Sequence, residues 1–171
     1  MKLLDIAPRD VWANFEKEMH ERFSMSCSVN DTEGMRVTEY ENWGNELCPT
    51  LKEHKEALAT ICAAGSQNFT QMAKLTGNPV VGMCDAGLLK ISVPIFLDGE
   101  FLGTAGGCGA LSEGEEMETF LVEKTTGMSG DEIRRLARGM PTVTEEEAWE
   151  LADFCRRRLS EIVSGITSGI E

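Results

Sequence analysis

The sequence predicts an α+β domain with a central antiparallel sheet of about five strands and helices packed on it. Apolar residues recur at helical spacing near both ends of the chain, in 10–23 and in about 144–168. Between these segments, residues 79–111 form apolar runs divided by tight-turn signals, of which Asp98-Gly99 is the strongest. The 171 residues contain no repeat or linker-like stretch, so we expect a single domain over 1–171.

The N-terminal half predicts a helix, a hairpin and two further helices. Residues 10–23 carry the apolar period of a helix, and residues 25–30 alternate as a strand does. Gly34 can take the positive φ of a turn, after which 35–38 would return as the second strand. Cys48-Pro49 would open a helix that runs to about residue 64 and ends at Gly65, with another short helix over 66–75.

The C-terminal half predicts three strands and then three helices. The strands are expected at 79–83, 88–97 and 101–111. Each helix would begin at a capping box, in which a Ser or Thr is followed three residues later by a Glu, at Ser112, Ser129 and Thr144. The terminal helix, about 144–168, carries an apolar stripe. That stripe is expected to cover the sheet and also to pair with a second copy in a homodimer.

Charge and hydropathy exclude two classes of partner. The chain has 16 Lys and Arg against 29 Asp and Glu, which gives a net charge of −13. A protein with this charge repels nucleic-acid backbones and anionic lipid surfaces. No apolar run approaches the roughly 20 residues of a membrane span, and Asp5 interrupts the N-terminus too early for a signal-peptide core. We expect a cytoplasmic protein that binds neither nucleic acid nor membrane.

Cysteines are the main candidates for chemistry, because the chain has six of them and only two histidines. In a reducing compartment such cysteines are thiols, redox groups or metal ligands rather than disulfides. Four of them are spaced 14, 22 and 24 residues apart, at Cys48, Cys62, Cys84 and Cys108. The spacing lacks a Cys-x-x-Cys knuckle, so a joint site requires the fold to bring them together. A four-thiolate set suits an iron–sulfur cluster, with zinc as the lesser option; the alternative is that the thiols simply pack.

Other residues near these cysteines are candidates for binding a cofactor or ligand. Gly106 and Gly107 precede Cys108, and their missing side chains would let a bulky group approach the backbone. Trp43 lies in a loop where a lid over a pocket is expected, although an ordinary anchoring role fits equally well. Asp85 is expected to cap a turn or to form a hydrogen bond beside the site. The remaining cysteines, Cys27 and Cys155, are expected to be core residues.

Five ordered elements of the chain resemble the PocR-type sensory domain family over about residues 3 to 165. They are the cysteine pair Cys48 and Cys62, the stretch Cys84-Asp85-Ala86-Gly87-Leu88, the strand residues Pro94-Ile95, the turn Asp98-Gly99, and Gly106-Gly107 at the end of a strand. Two departures stand out: the family pattern has His where this chain has Asp85, and Gln where it has Cys108. The resemblance implies a PAS/GAF-like fold that senses a small molecule, usually one derived from a hydrocarbon.

The favoured function is therefore a free-standing sensory domain in signal transduction rather than an enzyme. Members of the family are usually joined to DNA-binding, kinase or chemotaxis modules, so an unidentified output protein is expected. Because Cys108 adds a fourth soft ligand, we favour an iron–sulfur cluster that senses redox state or a gas. The alternatives are a sensor of a small organic ligand with packed cysteines, and a thiol-based redox enzyme that uses Cys48 at a helix start.

Overall fold

The computed structural model describes residues 1–167 and places a β-rich centre between helices. The helical elements are α1 (Leu3–Ile6), α2 (Arg9–Phe23), α3 (Leu47–Glu53), α4 (Lys55–Ala57), a π-helical segment (Leu58–Ala63), α5 (Ala64–Thr76), α6 (Phe120–Thr126), α7 (Gly130–Leu136) and α8 (Glu145–Thr167). The strands are β1 (Ser26–Asn30), β2 (Val80–Met83), β3 (Leu89–Leu97), β4 (Glu100–Ser112) and β5 (Thr142–Val143). This content confirms the α+β class.

The sheet is organised around β4. This strand pairs antiparallel with β1 on one side and with β3 on the other, and β2 pairs antiparallel with β3, which gives the order β1-β4-β3-β2. The short β5 joins the C-terminal end of β4 in parallel. Asp98 and Gly99 form the β3–β4 turn with φ values of 51° and 82°, as a two-residue hairpin turn requires. The predicted five-stranded sheet is confirmed, with β5 as its parallel addition.

Different helices cover the two faces of the sheet. Helices α2 and α8 cover one face, and their apolar side chains form the main core with the strands. Trp12, Phe15 and Leu151 are each at most 1% exposed in this core. Cys27 and Cys155 belong to the same core, so the prediction for these two cysteines is confirmed. Helix α5 lies against the opposite face, and that face positions the candidate site.

The predicted second strand of the N-terminal hairpin is wrong. Only an isolated bridge between Asn30 and Arg36 forms in this region. The reason is a buried polar network, in which Arg36 and Thr38 direct their side chains to the Glu16 carboxylate of α2. The segment is held by these side chains instead of by a ladder of backbone hydrogen bonds.

Two predicted helix boundaries are also wrong. The helix predicted to run from Cys48 to Gly65 is interrupted at His54, whose φ and ψ values of −92° and 110° are extended. Gly65 does not end a helix, because it lies inside α5. Ser112 does not cap a helix, because β4 continues through it. The residues on either side of Ser112 form backbone hydrogen bonds to β5 and to the residue that precedes β5. The backbone bonds from Leu111 N to Pro141 O and from Glu113 N to Val143 O thus replace the predicted capping box.

The predicted helix starts at Ser129 and Thr144 are confirmed, with a reciprocal capping box only at Thr144 among the two. Ser129 accepts a hydrogen bond from the backbone N–H of Glu132 at the start of α7. Thr144 and Glu147 cap α8 reciprocally, over 2.8 and 3.1 Å. The terminal helix therefore starts where predicted and reaches Thr167; position 168, the predicted end, lies outside the described residues.

Candidate functional site

Four separate elements bring Cys48, Cys62, Cys84 and Cys108 to the same side of the sheet. Cys48 lies in α3, Cys62 in the π-helical segment, Cys84 directly after β2, and Cys108 in β4. All four are partly buried. Cys48, Cys62 and Cys84 also pack on a second apolar cluster that lies beneath α3, α6 and α7. The chain thus gathers residues that are 60 positions apart in sequence (108 − 48).

Burial and neighbouring thiols raise the pKa values of three of these cysteines. Burial is the largest cause that raises the pKa of Cys48 to about 12, and the neighbouring Cys108, Cys62 and Cys84 raise it further. Burial likewise raises the pKa of Cys62 to about 11, with Cys108 and Cys84 adding to the effect. The pKa of Cys84 is raised by burial and by Cys108. Each thiol would therefore repel a thiolate at the other three, and a cation among them would reverse that repulsion.

Asn45 fixes the position of Cys48. Its side-chain oxygen accepts the backbone N–H of Cys48 at 2.7 Å, and its Nδ2 lies 3.2 Å from the Cys48 Sγ. The same Nδ2 donates to the carbonyl oxygen of Gly109 at 2.8 Å. Asn45 therefore ties the start of α3 to β4 beside Cys108. A Cβ at Gly109 would lie 3.2 Å from the Cys48 Sγ, so the glycine leaves room for this approach.

The π-helical segment determines where Cys62 lies. The inserted i→i+5 turn over Leu58–Ala63 rotates the helix relative to a regular α-helix, and such turns frequently occur at functional sites. After it, Gly65 lies beside Cys84, where an added Cβ would make an ordinary contact of 3.8 Å with the Cys84 Cβ. Lys52 and Lys90 lie near Cys62, and the positive charge of each acts to lower the pKa of this thiol.

The arrangement is not a preformed site for a single metal ion. Within residues 1–167, no group of three or more His, Cys, Asp or Glu side chains is positioned to hold one. Zinc would require sulfurs about 3.8 Å apart, since each Zn–S bond is about 2.3 Å in a tetrahedron. A [4Fe–4S] cluster makes a looser demand on the protein, because each of its four iron atoms takes one cysteine.

A small polar cavity lies next to the cysteines, between the sheet and α5. Its volume is about 10 Å³, and Cys108 lies on its wall. Five hydroxyl side chains from β1, β3, β4 and α5 contribute to the remaining lining, and Lys90 supplies a positive charge. Sequence reasoning missed this set. The available signal was the alternation in β1, where Ser26 and Ser28 face away from Cys27 and Val29, but the partners on the other strands depend on register.

The structure places the other predicted ligand-site residues differently. Trp43 lies in an open outer groove with Pro49 and Leu136. The Lys52 Nζ lies over its ring, 4.9 Å from the ring centre. Trp43 is not among the residues that line the sheet-side cavity. Asp85 is exposed in the turn after β2.

Gly106 and Gly107 have packing reasons to be glycine. A Cβ at Gly106 would lie 1.9 Å from the Ile91 carbonyl oxygen of the neighbouring strand. A Cβ at Gly107 would point to the opposite face and meet Leu151 of α8 at 3.2 Å. The close approach at these glycines is therefore made by the chain itself, although Gly106 and Gly107 both border the cavity.

Comparison with known proteins gives one family. The family model described as the sensory domain found in PocR matches residues 5–166, which confirms the resemblance carried by the cysteine and glycine motifs. No curated protein and no solved structure matches the chain significantly. None of the helices in the described part of the chain is long and apolar enough to cross a membrane. The match spans nearly the whole sequence, so the chain belongs to the PocR sensory domain family and is a ligand-sensing domain.

Proposed function

We propose that this domain senses redox state or a gas through an iron–sulfur cluster bound by Cys48, Cys62, Cys84 and Cys108. The observation that carries the proposal is that four elements place these partly buried cysteines on the same side of the sheet, where neighbouring thiols raise the pKa values of Cys48, Cys62 and Cys84. Soft thiolate ligands select iron–sulfur clusters or zinc.

The surroundings of the cysteines suit an anionic, thiolate-ligated group. Lys52 and Lys90 supply positive charge beside Cys62, and Asn45 provides an N–H donor to the Cys48 sulfur. Charge and hydrogen bonds to sulfur are the features with which proteins set the reduction potential of a cluster. When bound, the cluster would supply a one-electron redox centre or a site of attack for a gas. Zinc is the lesser option, because the thiols would have to draw together to hold a single ion.

The fold offers a route from the cysteines to the terminal helix. Cys108 and Gly107 are adjacent in β4, and the Gly107 backbone approaches Leu151 of α8 on the opposite face. A shift of β4 at Cys108 would therefore reach α8 through the packing of Leu151 on Gly107. We further propose that α8 pairs in a homodimer and passes the signal to a separate output protein. Sedimentation at high concentration tests this, and an exclusively 18.8 kDa species would refute the dimer.

The test of the cluster is the composition and spectrum of protein purified without oxygen. Iron and sulfide with broad visible absorption are expected, and both should be lost in Cys108→Ala. Cys155→Ala is the matched control, since Cys155 is equally a cysteine but lies in the core on the other face; it should keep the metal. Colourless protein that contains zinc would refute the iron–sulfur cluster and support a zinc site instead. Colourless, metal-free protein would refute the proposal and leave an organic ligand as the sensed species.

The thiol-enzyme alternative is less well supported. A nucleophilic cysteine needs a depressed pKa, whereas burial and neighbouring thiols raise that of Cys48 to about 12. The free thiols of the cysteines fit a reducing compartment. A cytoplasmic location is therefore part of the proposal.

A further inference from the structure

The two outer strands of the sheet differ in how their free edges are covered. On β1, the Asn42 side chain bonds to both the N–H and the carbonyl oxygen of Cys27. Val29 of the same strand donates its N–H to Glu16 and accepts the N–H of Val37. The outer edge of β1 is therefore closed. Strand β2 pairs only with β3 within residues 1–167, so its outer edge is open.

The register shows which backbone groups of β2 face outward. In an antiparallel pair of strands, residues that bond to the neighbouring strand alternate with residues that do not. Cys84 donates its N–H to the carbonyl oxygen of Leu88 at 2.9 Å, so Gly82, two residues earlier, also bonds to β3. The N–H and C=O groups of Val81 and Met83 therefore point away from the sheet, and no backbone hydrogen bond described within residues 1–167 occupies them.

Apolar side chains border this edge on both faces of the sheet. Val81 packs against the core under α8, and Met83, on the same face, is 48% exposed. Gly82 faces α5, where an added Cβ would lie 3.1 Å from the Phe69 ring, and Met72 of α5 is 50% exposed. The strand contains none of the charges, prolines or bulges that protect a free edge. Such an edge is a template for pairing with another strand.

Helix α8 adds charge on its side nearer to β2. Helix α2 covers β1 and β4, whereas α8 covers β3 and β4. Phe154 lies on the side of α8 that contacts Phe23 of α2. By the helical period, the opposite side carries Glu145, Trp149 and Arg156, and this set is called the outer flank. All three residues are exposed, and neither charged residue forms an ion pair within residues 1–167.

We propose that two copies of this chain pair through their β2 strands about a twofold axis at Gly82, which joins their sheets into one. With Gly82 opposite its own copy, Val81 of each chain lies opposite Met83 of the other. The outward N–H and C=O groups of these pairs then form four hydrogen bonds. The proposal rests on the homodimer proposed above, whose contact surface it specifies, and does not depend on a bound cluster.

Charge complementarity favours a second copy as the occupant. Leu151 of α8 packs above Gly107, which the register aligns with Val81 through β3. The axis therefore passes beside the middle of the stretch from Glu145 to Arg156. Because the axis makes the two α8 helices antiparallel, Glu145 of each copy lies on the same side as Arg156 of the other. Four strand residues alone bury too little for a stable dimer, which needs about 800 Å² on each partner, so the outer flank takes part.

The test is the dimer dissociation constant of the full chain, measured by analytical ultracentrifugation. Val81→Pro removes the outward N–H, a change that edge strands tolerate, and Met83→Lys places a charge on the edge. Each should raise the dissociation constant by about tenfold or more, since every lost contact is lost twice in a symmetric dimer. The matched control is Met35→Lys, because Met35 is also exposed but lies in the segment after β1. It should leave the dissociation constant unchanged.

A charge reversal keeps the test decisive if the β2 variants fail to fold. Arg156→Glu, on the exposed surface of α8, should weaken the dimer by about threefold or more. Adding Glu145→Arg to it should restore the dimer, because the two opposite charges are then exchanged.

Three results would overturn the proposal. An exclusively 18.8 kDa species for the unmodified chain would refute the homodimer itself. An unchanged dissociation constant in both β2 variants, or no recovery in the double charge reversal, would refute this surface alone. Iron content is measured on the same samples. It decides the cluster separately, so failure of the dimer surface and failure of the cluster are distinguishable.

Discussion

Replacing Glu16 tests whether its buried network holds the segment after β1. Glu16 is 0% exposed, and its carboxylate receives only donors. The backbone N–H of Val29 donates to it at 2.7 Å and Arg36 at 2.9 Å, with a further short hydrogen bond from Thr38. The Met35–Thr38 segment lacks strand pairing beyond one bridge, so these contacts are its main attachment to α2.

The expected loss for Glu16→Ala is about 3 kcal/mol of unfolding free energy. Breaking a buried ion pair costs about 3–5 kcal/mol. We take the lower end, because the Arg36 side chain is 24% exposed and can regain water, whereas the buried N–H of Val29 cannot. For a chain of this size each kcal/mol lowers the melting temperature by about 2–4 °C, so a decrease of about 6–12 °C follows. Glu16→Gln keeps an acceptor for Val29 and should lose roughly half as much.

Urea unfolding followed by circular dichroism measures these differences. Glu21→Ala is the control, since Glu21 lies on the same helix in an exposed pair with Lys17; it should cost at most about 0.5 kcal/mol. A Glu16→Ala variant as stable as Glu21→Ala would refute the reasoning. The reasoning would also fail if Glu16→Ala lowered the unfolding free energy as much in Arg36→Met protein as in the unmodified protein. If the two residues are coupled, Glu16→Ala must cost less once Arg36 has been replaced.

Three other predictions follow from single contacts. Trp12→Phe removes an indole N–H that donates to the carbonyl oxygens of Leu3 and Ala7; it should cost about 2 kcal/mol in urea unfolding, and unchanged stability would contradict it. Gly106→Ala should prevent stable folding, because the added Cβ would lie 1.9 Å from a backbone oxygen; a soluble variant with native circular dichroism would count against this register. In metal-free protein, folding raises the pKa of two cysteines, Cys48 and Cys62, from 9.0 to about 12 and about 11. Their stabilisation is therefore present below pH 9 and lost as the pH rises towards those values; denaturant midpoints that do not fall across this range would exclude it.

Much of the fold follows from local signals in the sequence. Asp98-Gly99 marked the central hairpin because only a few residue types accept its positive φ values. Thr144 and Glu147 marked the start of α8 through a reciprocal cap that involves only neighbouring residues. The capping box at Ser112 failed because β5, about 30 residues later in the chain (142 − 112), pairs with β4 and keeps it extended.

Some properties of the candidate site also follow from the sequence, whereas others depend on the tertiary structure. The sequence by itself determined the family, the number and softness of the candidate ligands, and the acidic net charge, because each of these depends on residue identity and order. Only the tertiary structure decided that Cys48, Cys62, Cys84 and Cys108 lie on the same side of the sheet, and that Ser92 and Thr104 line one polar cavity with Lys90. The physical reason is strand register: a shift of one residue turns every side chain of a strand to the opposite face, and no local pattern in this chain records which strands become neighbours.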